Sequence, residues 1–574
     1  MSSIITPKIE KESKIQITPS QEVIRDAIMS NWRDWPIVKL SQEREEFIQL
    51  LVRNTFDKIL QKLGNNENLH EELKKTLYLE KIRVHQKPWR VDPKDEISFW
   101  NEIKKDLVTV PFEETNTAYT EEKLMVKIVT RYAHEIVGTF KISTFQFAER
   151  FIPFAFATLL NAASFTNFKA IFQHKVHIQD RVQLTGEIDK IRELSKKGTL
   201  VLVPTHFSNL DSIMVGWAID AIGLPPFLYG AGLNLFNNPI LGWYMNRLGA
   251  YKIDRRKKNM LYLETLKTYS TMALQRGCHS LFFPGGTRSR SGRIEKNLKM
   301  GLLSTVFDAQ RINYEVQGPN ANKIFIVPLT INYHFVLEAP SLINEYLKNA
   351  GQEKYLIDSN NFTNFWSISK FIWKFFSTKS EVILRFGAPM DIFGNTVNNE
   401  GISFSKMNQE IDVSSYFKLN DKLVDDEQRD FEYTKILSKK IIESYLKENV
   451  VLSSHIIAFV AFIMFKKKFK KLDLYALFRL PRDERGIPYL QFQEKVETLL
   501  KHLKHMYAEK QLYLAPHLNA APYEIIKHGL QNLGIYHEKK ALVQDTFGEI
   551  YCEDMRLLYY YHNRLEGYDL EQFI

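Results

Sequence analysis

Cysteine is scarce in this sequence, and no hydrophobic run is long enough to cross a membrane. Cys278 and Cys552 are the only cysteines in 574 residues, and they lie far apart without metal-type spacing. A disulfide framework is therefore not expected, and both thiols should be reduced. The first residues, MSSIITPKIEKESK, mix both charge signs and lack an apolar stretch after a basic start, so they predict no signal peptide. No internal repeat is evident.

The hydrophobic fraction of 44% is too low for a polytopic membrane protein. The formal net charge of +10 suits phosphate-bearing partners, although surplus surface lysine would give the same value. The longest apolar stretch, residues 450–465, would span about 24 Å as a helix, short of a bilayer core of roughly 30 Å. Five lysines follow within residues 466–471. Two structures remain open: a helix in the membrane interface, or a buried helix with a solvated lysine flank. Residues 151–165 are also apolar but contain Pro153 and Asn161. We expect peripheral attachment rather than insertion.

The hydrophobic pattern of the sequence changes near residue 175, from the periodicity of helices to short apolar runs. Four such runs, at residues 199–206, 279–286, 323–333 and 381–389, are β-branched or aromatic and bounded by proline or glycine. A helical stretch between the first two ends at Gly277. This alternation predicts an α/β domain whose central, mostly parallel sheet is flanked by helices. The expected organisation is a helical N-terminal domain (1–174), the α/β catalytic domain (175–394), a polar linker (395–430) and a helical C-terminal region (431–574).

His206 and Asp211 form an H-x-x-x-x-D pair directly after the first of these strands. On one continuous helix the two side chains would point about 140° apart. They can meet only if a strand-to-helix turn lies between them, and Ser208 and Asn209 are good residues to cap a helix starting there. A carboxylate on one imidazole nitrogen would then make the other a general base. Alternatively, Ser208 and Asp211 form a helix cap beside an inactive histidine.

Cations gather downstream of this pair. Arg255 and Arg256 follow a strand-like segment, and residues 282–301 place five cations against a single acid, Glu295, after a Gly-Gly turn. Arginine forks and backbone N–H groups suit phosphate oxygens. No nucleic-acid motif accompanies the cluster, so we expect no nucleic-acid partner.

Two further features carry open interpretations. Pro328 interrupts a core strand, as it would at a cleft border, an edge or a bulge. His502 and His505 have helical metal-site spacing, but without a third ligand they are expected to lie on a solvated face, and we expect no metal.

In this order, four blocks resemble the glycerolipid acyltransferase superfamily. The first is His206 to Asp211, and the second ends in Ile253, Asp254 and Arg255. The third, residues 283–289 with a trailing Lys299 and Gly301, is similar to F-P-E-G-T-R-S. The fourth comprises Val327, Pro328 and Ile331. The helical N-terminal region and the segments NYHFVLEAP and SSHIIAF are similar to the glycerol-3-phosphate and dihydroxyacetone-phosphate branch, whereas TRSRSG is closer to the lysophosphatidate branch.

The resemblance implies that His206 deprotonates a glycerol 3-phosphate hydroxyl, which attacks the thioester of acyl-CoA or acyl carrier protein, while Asp211 orients the histidine. It implies no metal and no resident cofactor, and work on the cytoplasmic side of an anionic membrane surface. Acylation of lysophosphatidate or dihydroxyacetone phosphate is the alternative, as is a catalytically lapsed protein that binds acyl-CoA or lipid. The substrate-binding residues it implies are Arg255, Gly286, Thr287, Arg288, Arg290, Lys299 and Pro328.

One position departs from the pattern. Gly285 stands where the third block carries glutamate, an acid that helps to shape the acceptor pocket. We therefore expect the proton chemistry to be intact and the acceptor preference to depend on this position.

Overall fold

A computed structural model describes residues 25–64, 66–108, 114–149, 182–349 and 381–574. Its centre is a seven-stranded sheet with strand order β1-β7-β6-β2-β5-β3-β4. The block from β6 to β4 is parallel throughout, and β7 joins β6 antiparallel while pairing parallel with β1. The predicted mostly parallel sheet with flanking helices is therefore confirmed. The strands are β1 (Val182–Gly186), β2 (Gly198–Pro204), β3 (Leu228–Gly232), β4 (Ala250–Ile253), β5 (Ser280–Leu281), β6 (Lys323–Tyr333) and β7 (Val382–Phe386).

Helices precede, interleave and follow the sheet. Those before it are α1 (Pro36–Gln42), α2 (Arg44–Leu63), α3 (Asn66–Gln86), α4 (Glu96–Val108) and α5 (Glu114–Ile136). Those within it are α6 (Ile188–Ser195), α7 (Asp211–Ala221), α8 (Pro239–Arg247), α9 (Met260–Gln275), α10 (Met300–Leu303), α11 (Thr305–Gln317) and α12 (Ala339–Asn349). Those after it are α13 (Glu427–Lys447), α14 (Ser453–Lys468), α15 (Leu474–Phe478), α16 (Tyr489–Ala508), α17 (Pro522–Asn532) and α18 (Met555–His562).

The structure confirms the predicted helix end at Gly277 but contains a much shorter strand than predicted at residues 279–286. The helix predicted to end at Gly277 is α9, and Gly277 adopts φ +77 one residue beyond its C-cap, as a terminating glycine does. The strand predicted at residues 279–286 is only the two residues of β5. It is short because Pro284 has no N–H to donate to a ladder and Gly286 turns the chain with φ +76.

The N-terminal helices are not a detached domain. Their buried side chains, such as Phe47, Leu51 and Tyr132, share one apolar cluster with Tyr262 and Tyr269 of α9. Phe47 meets Tyr269 edge-to-face, and Tyr132 meets Tyr262 in the same way. The helical region therefore supports β4 and α9 from one side of the sheet.

The apolar stretch at residues 450–465 is a buried helix. Within α14 all side chains from Ser453 to Phe465 except Met464 are buried, and the helix packs on α16, α17 and α18. An interfacial helix needs a polar face along its length, but α14 is apolar on every side from Ile456 to Phe465, which is typical of a core helix. The membrane-interface alternative for this segment is wrong. No described helix is both long enough and apolar enough to cross a bilayer. Residues 151–165 lie outside the described residues.

The expected linker at residues 395–430 is built from short antiparallel pairs, and Val397 and Phe417 within it are buried in the two cores beside the sheet. The C-terminal helices begin at Glu427, and small two- and three-stranded sheets join them. His502 stacks on Phe573, and the exposed His505 contacts Glu509. The short strands are β8 (Thr396–Val397), β9 (Ser403–Phe404), β10 (Glu410–Ile411), β11 (Lys418–Leu419), β12 (Lys422–Leu423), β13 (Val450–Val451), β14 (Gly486–Ile487), β15 (Tyr513–Leu514), β16 (Val543–Gln544) and β17 (Ile550–Tyr551).

Candidate active site

His206 and Asp211 meet where β2 gives way to α7. His206 lies in the turn after β2, Asp211 is the first residue of α7, and His206 Nδ1 is 2.8 Å from Asp211 Oδ2. The same oxygen accepts the backbone N–H groups of Phe207 and Ser208, at 2.6 and 2.9 Å. The helix starts later than predicted, and its N-cap residue is Leu210. The carboxylate of Asp211 instead folds back over the turn and accepts the N–H groups of two residues that precede the helix.

Asp211 is fully buried, and its second oxygen is also satisfied. Tyr333, at the end of β6, donates its hydroxyl to Asp211 Oδ1 at 2.6 Å. Burial, together with the adjacent Asp211 charge, raises the pKa of Tyr333 well above 10, so the hydroxyl keeps its proton and remains a donor. With four donors around it, the carboxylate recovers the hydrogen bonds it would have had in water. This leaves Asp211 available as a fixed negative charge beside the imidazole.

The His206 ring is held in one orientation. Because Asp211 can only accept when ionised, Nδ1 carries the proton and Nε2 carries the lone pair. The ring stacks on Phe283 with centres 4.1 Å apart, and its side chain is 16% exposed. The backbone N–H of Ser289 donates to the His206 carbonyl at 2.7 Å, which ties the first block to the third. The arrangement is that of a general base whose Nε2 can accept a proton from a substrate.

A second carboxylate, that of Glu295, lies beside this base. Its Oε1 accepts the His206 backbone N–H at 3.1 Å, whereas its Oε2 is buried without a hydrogen-bond partner. Burial raises the pKa of Glu295. The side chain passes directly over Gly285, where an added Cβ would lie 3.0 Å from Glu295 Cγ and 3.1 Å from Oε1. The space that a residue-285 side chain would enter is therefore already taken by Glu295.

The two arginines after β4 differ in role. Arg256 binds the carboxylates of Asp92 and Asp254 and lies 3.8 Å above the Trp89 ring, so it anchors the N-terminal helices. Arg255 has no acidic partner among the described residues. Desolvation by the surrounding protein, and secondly the positive charge of Arg290, lower the pKa of Arg255 below its usual value. A cation without a carboxylate is the one better placed to receive an external anion.

The cations of the third block divide in the same way. Lys299 is exposed and has no ion pair within the described parts of the chain, and its stem lies over Gly286, where a Cβ would meet Lys299 Cγ at 3.0 Å. Arg288 instead contacts the buried Glu338 at 3.2 Å, and Arg290 pairs with Glu345 at 2.9 Å. Thr287 is exposed on the same loop.

Pro328 does not border a cleft or an edge. It is buried in the middle of β6, paired with Val203 of β2, and its carbonyl accepts the N–H of Gly387. The ladder to β7 ends at Leu329 and resumes only at the bridge between Ile326 and Met390, so no N–H is required of residue 328. Between these two pairs the register shifts by one residue, so of the three alternatives for Pro328 the bulge is confirmed. Because Pro328 is buried within the sheet, it shapes the strand from within, and its contact with substrate stays a prediction.

Three contributors are not apparent from motif spacing. Glu338 accepts from Ser208 Oγ and the Asn209 N–H, which fixes the turn between His206 and Asp211. Arg564, from the C-terminal region, lies 4.1 Å above the Phe207 ring and donates to the Ile331 carbonyl. Tyr333 and Glu338 lie in the segment NYHFVLEAP, which is similar to the glycerol-3-phosphate and dihydroxyacetone-phosphate branch, whereas no local sequence pattern points to Arg564. Only the packing of the C-terminal region brings it here.

Comparison with known proteins locates the same region. Residues 176–332 match the family model described as Acyltransferase. A glycerol-3-phosphate acyltransferase from Xylella fastidiosa is 28% identical over 37% of this chain and 23% of its own length. One from Pseudomonas paraeruginosa is 26% identical over 45% of this chain and 28% of its own length. One from Alteromonas mediterranea is 32% identical over 29% of this chain and 20% of its own length. The chain thus spans about a quarter of the length of these relatives.

Among solved structures, the 1-acyl-sn-glycerophosphate acyltransferase PlsC of Thermotoga maritima is matched over 55% of this chain and 94% of that chain, at 13% identity and a TM-score of 0.23, which is too low to support an argument. Residues 176–332, which match the Acyltransferase family model, contain the His206–Asp211 pair, Arg255, the third block and Pro328 in the order of the family pattern. Residues 176–332 are therefore similar to the Acyltransferase family, and this similarity covers all four blocks of the sequence pattern.

Proposed function

We propose that this protein transfers a fatty acyl group from a thioester to a hydroxyl of glycerol 3-phosphate. The observation that carries the proposal is the 2.8 Å contact between His206 Nδ1 and a fully buried Asp211. On two nearby loops lie Arg255 and Lys299, which have no acidic partner among the described residues. The relatives named as glycerol-3-phosphate acyltransferases support this choice of acceptor.

The chemistry follows from the fixed tautomer of His206. Nε2 takes the proton from the acceptor hydroxyl as its oxygen attacks the thioester carbonyl, and Asp211 stabilises the imidazolium that results. When the carbon–sulfur bond breaks, the thiolate leaves and takes up the proton from Nε2, which regenerates the base. The residues that carry the reaction need no metal and no resident cofactor, and the acyl thioester of coenzyme A or acyl carrier protein is a co-substrate.

The acceptor phosphate is assigned first to Arg255 and Lys299. Neither has a carboxylate partner among the described residues, so a phosphate would not have to displace one. Arg288 and Arg290 are weaker candidates because a phosphate must compete with Glu338 and Glu345. Gly286 and Thr287 lie on the same loop and can contribute backbone or hydroxyl contacts.

We also propose that the enzyme works peripherally at the cytoplasmic face of an anionic membrane. Support comes from the segment between β3 and β4, where Leu235, Ile240 and Trp243 are 38, 59 and 48% exposed. This segment begins at the carboxyl end of β3, the sheet edge at which His206 follows the parallel β2. Exposed aromatic and aliphatic side chains of this kind enter the headgroup region of a bilayer.

The direct test is formation of lysophosphatidate from radiolabelled glycerol 3-phosphate and palmitoyl-CoA by the full-length protein. Replacing His206 with alanine should lower the rate by about 10²- to 10⁴-fold. The matched control is His505→Ala, which removes an exposed histidine of α16 and should leave the rate unchanged. Absence of product, or a His206→Ala rate equal to that of the parent protein, contradicts the proposal.

A competition assay then defines the acceptor. Lysophosphatidate and dihydroxyacetone phosphate are offered together with glycerol 3-phosphate, and the product ratio reports the preference. Acyl-CoA binding without transfer to any of the three would instead identify a lapsed enzyme.

A further inference from the structure

Three imidazoles and a carboxylate converge on the side of the sheet that faces the C-terminal region. His334 directly follows β6, Glu381 precedes β7, His517 lies in the 3-10 helix Pro516–Asn519, and His528 lies in α17. One ligand atom from each residue lies within 4.8 Å of the corresponding atoms of the other three. These residues are far apart in sequence and follow no metal-binding spacing, so only the fold brings them together.

Two of the histidines are arranged as metal ligands are. His334 is 1% exposed; its Nδ1 is 3.0 Å from Ser454 Oγ, and its Nε2 is buried without a hydrogen-bond partner in the described part of the chain. His528 Nδ1 is likewise 2.8 Å from Ser453 Oγ. With each Nδ1–H donating to a serine hydroxyl, both Nε2 lone pairs are available to an ion. Burial lowers the pKa of His528 to about 4 and that of His334 well below 6.5, so both rings are neutral at pH 7.

His517 has a different role from these two. Its Nε2 accepts the backbone N–H of Ser453 at 3.1 Å, which places its ring proton on Nδ1. That nitrogen lies 3.4 Å from Glu381 Oε1, and Glu381 Oε2 accepts from Gln183 Nε2 at 2.7 Å. Gln183 thus orients the Glu381 carboxylate by a hydrogen bond, as an outer-shell partner of a metal ligand does, while His517 Nδ1 lies beside the carboxylate and makes no hydrogen bond among the described residues.

We propose that His334 Nε2, His528 Nε2 and the Glu381 carboxylate bind one Zn²⁺, with water as the remaining ligand. Two neutral imidazoles and one carboxylate are a zinc donor set, whereas calcium and magnesium prefer oxygen ligands throughout. Imidazoles on one tetrahedral zinc, with Zn–N near 2.0–2.1 Å, have ring centres roughly 5 Å apart. The His334 and His528 ring centres are 5.2 Å apart.

The ion would join the C-terminal region to the sheet at a point next to the active site. His528 belongs to α17, whereas His334 and Glu381 belong to the ends of β6 and β7. His334 is the immediate neighbour of Tyr333, whose hydroxyl holds Asp211. The zinc is structural, takes no part in the proton transfer, and its existence does not depend on the proposed function.

The test uses untagged full-length protein freed of metal with a chelator and then titrated with zinc chloride, with bound metal measured by mass spectrometry. We expect about one zinc per chain. His517→Gln should weaken zinc binding by roughly 10- to 100-fold, which is the usual cost of losing an outer-shell partner. Glu381→Gln and His528→Gln each remove a ligand and should weaken zinc binding by more than this. His505→Gln, the matched control, should bind as the parent does. Circular dichroism shows whether each variant is folded.

Cobalt provides a readout that needs no variant. Co²⁺ bound by two imidazoles and a carboxylate in tetrahedral geometry gives intense visible absorption bands, and zinc should displace the ion and remove them. No zinc uptake by the parent protein, no such bands with cobalt, or undiminished zinc binding by folded Glu381→Gln would each overturn the proposal.

Discussion

Gly285 and Glu295 make a sharp prediction because their side chains would occupy one space. A Cβ on residue 285 would lie 3.0 Å from Glu295 Cγ, so Gly285→Glu requires Glu295 to move before the rest of the new side chain is placed. The two carboxylates would then lie about 4 Å apart. At an effective dielectric constant of about 20 their repulsion is about 4 kcal/mol. Burial already raises the pKa of Glu295, so a second negative charge there is poorly tolerated.

The expected result is a loss of stability and activity in Gly285→Glu, with recovery when Glu295 is removed as well. Glu295→Ala alone leaves the His206 N–H without its acceptor, which costs about 1–3 kcal/mol. In Gly285→Glu/Glu295→Ala the new carboxylate can enter the vacated space and accept that N–H. Glu295→Gln is the matched control, because its amide oxygen keeps the hydrogen bond and removes only the charge.

The measurements are the free energy of unfolding in urea, and kcat and KM for glycerol 3-phosphate with palmitoyl-CoA. A double-mutant cycle should give a favourable coupling of about 0.5–3 kcal/mol, as contacting residues do. Strict additivity of the two substitutions would refute the idea that the two side chains share one space. A Glu295→Gln variant with unchanged KM and kcat would show that the charge of Glu295 has no part in acceptor binding.

Three further outcomes follow from the geometry. Tyr333→Phe should lower kcat by about 5- to 100-fold with little change in KM, because it leaves one buried Asp211 oxygen without a donor at a cost of about 1–3 kcal/mol; an unchanged kcat would contradict this. Arg255→Gln should raise KM for glycerol 3-phosphate by about 10-fold or more, whereas Arg256→Gln should lower the melting temperature instead; the reverse pattern would exchange their roles. Burial lowers the pKa of His279 to about 4 and that of His455 to about 3, whereas the pKa of a histidine in the unfolded chain is near 6.5. Between pH 7 and pH 5 the unfolded chain therefore binds more protons than the folded protein. Acidification over this range should lower the free energy of unfolding by about 2 kcal/mol for each of the two histidines. Urea titrations across that range should show it, and a flat profile would contradict it.

Local chemistry made much of the catalytic domain predictable. The β-branched runs became β2 and β6 because side chains buried on both faces of a parallel strand must be apolar along its length. Gly277 ended α9 because the residue after a helix end commonly needs a positive φ. The His206–Asp211 contact was predictable because a turn between them is the only way their spacing allows them to meet. These are properties of a few consecutive residues.

Long-range packing decided the rest. Sequence analysis left the segment at residues 450–465 open between a membrane interface and a core, and its burial by α16, α17 and α18 depends on helices that lie up to about a hundred residues away.

The same is true of the contacts that complete the candidate sites. The sequence by itself determined the fold class, the pairing of His206 with Asp211 and the positions of the cations along the chain. Only the tertiary structure placed Tyr333 on Asp211 and His528 beside His334, because each of these contacts joins separate elements whose approach is set by the whole core, and only the folded loop between β5 and α10 placed Glu295 over Gly285.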